Sequence, residues 1–275
     1  MAFSVNTNSS ALAALQNLNN TQNELNSTQQ RINTGLKVSS AKDDSSAFVI
    51  AQNLRSDLSG MKSVTSSLNR AKSVLDVTLN GATQISDLMN QMQAKALEAS
   101  DAGLDTASRT ALNLDFVALQ SQIETVIDSS DFNGSNLLKG PAATGNSLSA
   151  LQSIQGSSTL VVANMDIETM LGTALTGDIS TGANATTQLG LLETAKAAMA
   201  GKLNTLGSAA RQVDSQLTFT AKLADAIKSG IGTLVDADLA AESANLQALQ
   251  LKQQLGVQAL SIANQSPQAI SSLFR

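Results

Sequence analysis

The feature that most constrains this chain is an apolar heptad that holds its register along two separate stretches. In the first, Leu54, Met61, Leu68, Leu75, Ala82, Met89 and Ala96 are spaced by seven, and Asp57, Val64, Ala71, Thr78, Ile85, Met92 and Ala99 follow three positions later. That spacing is the seam of a coiled coil. Only two prolines occur, Pro141 and Pro267, so nothing interrupts it. The pattern predicts one helix from about Ala41 to about Ser100, a rod of roughly 85–90 Å at 1.5 Å per residue. A helix of that length does not fit inside one compact core and implies an elongated bundle.

A second register begins at Thr187. One position reads Leu189, Lys196, Leu203, Ala210, Leu217, Ala224 and Ile231; the other reads Leu192, Met199, Leu206, Val213, Thr220, Ile227 and Leu234. This segment matches the first in kind and is long enough to lie along it, with Gly230 and Gly232 loosening its end. Between the two, Leu112, Phe116, Leu119, Ile123 and either Val126 or Ile127 share the face of a shorter helix. Asn133-Gly134 and Gly140-Pro141 are turn signals. In the Gly-, Ser- and Thr-rich stretch 132–185, STLVVANMDI reads as a strand and NLL as its partner.

Both chain ends carry helical stripes with little charge. Near the start, Leu12, Leu15, Leu18, Leu25, Ile32 and Leu36 form the stripe, Gln22 and Gln29 take the polar steps, and Gly35 reads as a stop. Ser40 with Asp43 three residues on resembles a capping box for the long helix. Near the end, Asp236 or Asp238 is placed to cap a last helix carrying Leu239, Leu246, Leu249, Leu260, Ala263, Ile270 and Phe274. No charge occurs between Lys252 and Arg275. Pro267 sits mid-stripe and predicts a kink or the loss of one turn. The expected fold is mainly α: an elongated antiparallel bundle with a small β element, its terminal helices paired. The divisions are 1–36, 37–131, 132–185, 186–235 and 236–275.

Composition excludes whole classes of chemistry. The chain has no Cys and no His, so disulfides, thiolate sites, Ser-His-Asp and Cys-His catalysis and His-ligated zinc are absent. No phosphate-binding glycine motif occurs. The net charge is −5 with no basic block, which argues against nucleic-acid binding. No apolar run is long enough to span a membrane, and the start, MAFSVNTNSS, lacks the layout of a secretory signal. Asp43-Asp44 and Asp236/Asp238 read as helix caps ahead of cation ligands, and the heptad methionines as core. No cofactor and no enzymatic activity are expected.

The positive signal is an interface. A helix with an apolar stripe and almost no opposing charge is marginal alone and gains from burial on several sides. The self-assembly residues are expected to be Leu12, Leu15, Leu18, Leu25, Ile32, Leu246, Leu249, Leu260, Ala263, Ile270, Leu273 and Phe274.

The stretches VNTNSSALAALQNLN, RINTGLKVSSAKDDSSAFVIAQNLRS, FNGSNLL and LVDADLAAESANLQALQLKQQLGVQALSIANQSPQAISSLFR together resemble bacterial flagellin. The resemblance implies a secreted filament subunit for swimming motility, whose terminal helices build an inner tube and whose longer helices surround it. It also implies export through a type III channel, a short insert in place of large outer domains, and mixed filaments with related flagellins. The implied partners are an export chaperone, a filament cap and hook-junction proteins. Ser and Thr of the 142–186 insert are candidates for O-linked glycans. Where many flagellins carry an Arg-rich stretch read by an innate receptor, this chain has LMNQMQAKALEAS with Lys95 alone, which implies weak recognition. The rival readings are a hook–filament junction protein and a secreted coiled-coil effector.

Overall fold

A computed structural model describes residues 7–140 and 147–271, except for the side chains of 266–271. The chain is mainly helical. In order it forms α1 (Ser9–Thr34), α2 (Ser45–Ala99), α3 (Thr106–Ser129), β1 (Leu148–Leu151), β2 (Thr159–Val162), α4 (Ile167–Leu175), α5 (Gly182–Val235) and α6 (Leu239–Ser271). These divide into two compact units. Unit 1 comprises 1–56 and 226–275, and unit 2 comprises 57–225.

Unit 2 holds the large core. The α2 heptad is its spine: Met61, Leu68, Leu75, Ala82, Met89 and Ala96 are buried, as are Val64, Ala71, Thr78, Ile85, Met92 and Ala99. The hydroxyl of buried Thr78 donates to the carbonyl of Val74, which satisfies the one polar side chain among these buried heptad positions. From α5, Leu192, Met199, Leu206 and Val213 join the same cluster, while Leu189, Leu203 and Leu217 pack half-buried against it. From α3, Leu112, Phe116, Ile123 and Ile127 are buried, and Leu119 and Val126 only partly.

Three departures from the sequence reading have physical causes. First, the α2 cap is Asp44, not Ser40: its carboxylate accepts the N–H of Ala47 at 3.0 Å, and the helix begins at Ser45. Asp43 instead closes a turn, its Oδ2 accepting the N–H and hydroxyl of both Ser39 and Ser40. Second, NLL is not a strand. The partner of β2 is β1, antiparallel with Leu148 opposite Val162 and Leu151 opposite Thr159. The carbonyls of Leu137 and Leu138 instead accept the N–H groups of Met165 and Ile167. Third, MDI does not extend β2. Asp166 takes a left-handed φ of 48°, the chain turns, and α4 follows. As expected from the second heptad, α5 runs to its end near residue 235, through Gly230 and Gly232.

Gln120 and Gln188 are buried polar residues that no apolar pattern marks. Their amides donate to the carbonyls of Gly177 and Ala174, which ties the segment after α4 to α3 and the end of α4 to α5. Within unit 1, a small cluster of Val38, Ala51 and Val235 packs with Leu36, Phe48, Ile231 and Leu234. The strand-like contact of Leu36 with Asp236 and the bond from Ala237 N–H to the Gly35 carbonyl hold the α1 exit beside the α6 entry.

Candidate functional site: the paired terminal helices

The site is the α1–α6 pair of unit 1. Asn8 starts α1: its backbone is extended (φ −91°, ψ 90°) and its Oδ1 accepts the N–H of Ala11 at 3.0 Å. Gly35 ends it with φ 70°, a conformation suited to glycine, and its N–H donates to the Arg31 carbonyl at 2.8 Å. Asp238 starts α6 by accepting the N–H groups of Ala240 at 2.9 Å and Ala241 at 3.2 Å. Of the two expected caps, Asp238 is the one used.

The two helices pack against each other along their length. Polar rungs set their relation. Asn8 Nδ2 donates to the Ala263 carbonyl at 2.8 Å, Gln253 Nε2 donates to Gln22 Oε1 at 2.6 Å, and Arg31 Nη1 lies 3.1 Å from Glu242 Oε1. As the α1 position rises the α6 position falls, so the helices are antiparallel in one register. A Cβ added at Gly256 would stand 3.2 Å from Leu18 Cδ1, so the small residue lets the helices approach. Glu242 is buried at 9% exposure, in the first turn of α6 where the helix dipole favours an anion. Its Oε2 has no hydrogen-bond partner among the described residues.

The seam between these helices is thin. Among the described residues of α1 and α6, only Leu25, Thr28, Glu242 and Leu249 are buried. Leu18, Ile32, Leu246, Leu260 and Ala263 are half-buried. Leu12 and Leu15 are exposed, at 59% and 42%. The expected interface residues thus fall into two groups: seven line the seam within the chain, and two face away from it. Ile270 as a side chain, and Leu273 and Phe274 entirely, lie outside the described residues.

The structure adds residues that the sequence reading left out of this set. Leu251, Leu255, Val257 and Ile262 of α6 are all more than half exposed, and Leu239 at its start is half exposed. Leu251, Leu255 and Ile262 share one stripe, because at 100° per residue their spacings of four and seven keep them aligned. The seam positions Leu249, Gln253, Gly256 and Leu260 lie about half a turn away on the same count. So α6 is apolar on two opposite faces, and one partner helix covers only one of them. The signal was present as a second i, i+4, i+11 series, hidden because the first stripe already accounted for a helix.

Among the described residues, no group of three or more acidic side chains could hold a metal ion, and no helix is long and apolar enough to cross a membrane. The family model of the bacterial flagellin N-terminal helical region matches residues 5–143, and that of the bacterial flagellin C-terminal helical region matches 189–274. The chain is 47% identical over 272 residues to flagellin FljM of Caulobacter vibrioides, covering 99% of this chain and 98% of that one. It is 37% identical to a flagellin of Brucella melitensis, covering 99% of each. In fold, the Bacillus cereus flagellin crystal structure superposes with a TM-score of 0.51 at 20% identity, covering 56% of this chain and 88% of that one. A Vibrio parahaemolyticus structure assigned as a flagellar hook-associated protein gives 0.57 at 13% identity, covering 70% and 100%. Matched at both helical ends by the family models and along its whole length by flagellins, the chain belongs to the bacterial flagellin family, the structural subunits of the flagellar filament.

Proposed function

We propose that this flagellin polymerises by burying the outward apolar residues of α1 and α6 against other copies of itself, and that this burial drives filament growth. The observation that carries the reading is the second apolar stripe of α6, Leu251, Leu255 and Ile262, together with exposed Leu12 and Leu15. A helix apolar on opposite faces is stable only with neighbours on both. Each such leucine or isoleucine gains about 1.5–3 kcal/mol on full burial. The absence of charge from 253 to 274 leaves nothing to desolvate there beyond amides and hydroxyls.

The test is seeded growth of the double variant Leu251→Ser, Ile262→Ser. Its critical concentration should rise by at least about tenfold, since each exposed serine forgoes burial that the native residue gains. Unit 2 should retain its helical signal on heating. Growth indistinguishable from the native chain would overturn the reading. The same reading assigns α1 and α6 to an inner tube and the remaining helices to a surrounding layer, with the 132–185 insert outermost.

Finer partners follow the family pattern: an export chaperone, cap and hook-junction proteins, related flagellins in mixed filaments, and glycans on insert Ser and Thr. A hook–filament junction role predicts no long homopolymer, so long filaments from the purified chain alone would exclude it. Recognition by an innate receptor is expected to be weak. The single basic side chain of 88–100, Lys95, pairs with Asp115 at 2.8 Å.

A further inference from the structure

The Asn8 side chain makes two hydrogen bonds, and capping explains only one. Its Oδ1 accepts the Ala11 N–H, as a cap does. Its Nδ2 donates at 2.8 Å to the main-chain carbonyl of Ala263, far away in sequence on α6. A carbonyl inside an α-helix normally accepts the N–H four residues on. For Ala263 that residue is Pro267, which has no N–H to give. Yet α6 continues through it to Ser271. Pro267 is the sole proline of α6, so within the helix the Ala263 carbonyl alone loses its donor for this reason. That is the carbonyl Asn8 reaches.

We propose that Asn8 and Pro267 form a two-part lock that sets the register of the terminal helices. Proline vacates one acceptor on α6, and an asparagine already clamped to the start of α1 fills it. The other polar rungs cannot do this. Gln22–Gln253 and Arg31–Glu242 join two long side chains, whose combined reach tolerates slip. A short side chain held by its own helix cap and bonded to a fixed main-chain atom tolerates little. In this role Asn8 is a positioning residue, and Pro267 is kept for the hydrogen bond it does not make.

The inference rests on the polymerisation reading only in its readout, and the native chain's own growth from seeds checks that reading separately. The test is a double-mutant cycle with Asn8→Asp and Pro267→Ala. Aspartate caps as well as asparagine does but has no N–H to donate. Alanine at 267 returns a helical donor to Ala263. In the native background Asn8→Asp should raise the critical concentration of seeded growth by at least about fivefold, the worth of one hydrogen bond. In the Pro267→Ala background the same change should cost less than about twofold. An equal loss in both backgrounds, or no loss in either, overturns the lock. Should Asn8→Asp fail to grow at all, Asn8→Ser takes its place with the same two outcomes. A measurement on the native chain closes the remaining gap: 15N on the Asn8 side chain and 13C on the Ala263 carbonyl, read by solid-state NMR in filaments or by trans-hydrogen-bond coupling in solution. A coupling at hydrogen-bond reach supports the lock, and its absence overturns it.

Discussion

Asp43 and Asp44 are adjacent and do different work. Asp44 caps α2, whereas Asp43 gathers four donors from Ser39 and Ser40 into a turn ahead of it. Asp44→Ala should therefore cost about 1 kcal/mol, the usual value of a cap, read as a lower urea midpoint. The Ser40 backbone N–H, then the Ser39 hydroxyl and backbone N–H, hold the Asp43 carboxyl below its ordinary range. Ser108 does the same for Asp105 and the Asn184 amide for Asp178. A carboxyl whose folded pKa is lowered adds stability that is present above its unfolded value, near pH 4, and is lost as the pH falls through the folded value. Acid titration should thus begin to loosen the Asp43 turn, the Asp105 cap of α3 and the Asp178 contacts below about pH 4, seen as loss of backbone amide protection at Ser40 and Ser108. Arg31 and Glu242 give a sharper contrast. Arg31→Ala strands a buried carboxylate and should cost about 1–3 kcal/mol in α1–α6 stability, measured by thermal melting of filaments. The milder outcome is expected for Glu242→Gln, which keeps a hydrogen-bonding side chain with no charge to bury. That a cap stood near residue 40 was legible in the sequence. Which residue served was not, because Ser40, Asp43 and Asp44 all carry capping chemistry and only the backbone path chooses among them.

At the scale of elements, the long helices were legible to within a few residues, because a heptad kept over so many turns has no other reading. The core follows it closely, with Leu68 and Leu75 fully buried. Leu75→Ala should cost about 2–5 kcal/mol, seen in the urea midpoint of unit 2. Two glycines of these helices should respond in opposite directions. A Cβ at Gly81 would stand 2.3 Å from Ser130 Oγ and 3.0 Å from Leu138 Cδ1, so Gly81→Ala should destabilise despite its better helix propensity. Nothing stands within 4 Å of a Cβ at Gly190, so Gly190→Ala should stabilise by about 0.5–1 kcal/mol. Parallel melts of the two variants check both signs. The insert was read less well. Short apolar runs such as NLL and LSAL do not reveal their partners, and α4 is only nine residues, too brief for a period to declare itself. Pro267 was expected to kink or shorten α6. The helix continues through it to Ser271, and the carbonyl it leaves without a helical donor accepts the Asn8 amide.

For the whole molecule, the governing contrast is between a unit with a filled core and a pair of terminal helices with a thin one. Unit 2 buries an unbroken set of apolar side chains from Val64 to Val213. Among its described residues the α1–α6 pair buries four and leaves Leu12, Leu251, Leu255, Val257 and Ile262 more than half exposed. A chain so divided suits a subunit whose ends are completed by its neighbours. The charge-poor ends made this partly legible, since a stripe without opposing charge already implied several partners. The division of labour between the seam and the outer face was not, because periodicity places residues on a helix but does not say which face the chain itself will cover. Removing residues 271–275 should accordingly spare unit 2 and weaken polymerisation, with seeded growth followed by electron microscopy as the measure. The most direct test of the central claim is a helical reconstruction of the native filament at side-chain resolution. Burial drives assembly if Leu12, Leu15, Leu251, Leu255 and Ile262 lie inaccessible to water in contact with neighbouring copies. The account is contradicted if those side chains face solvent in the assembled filament.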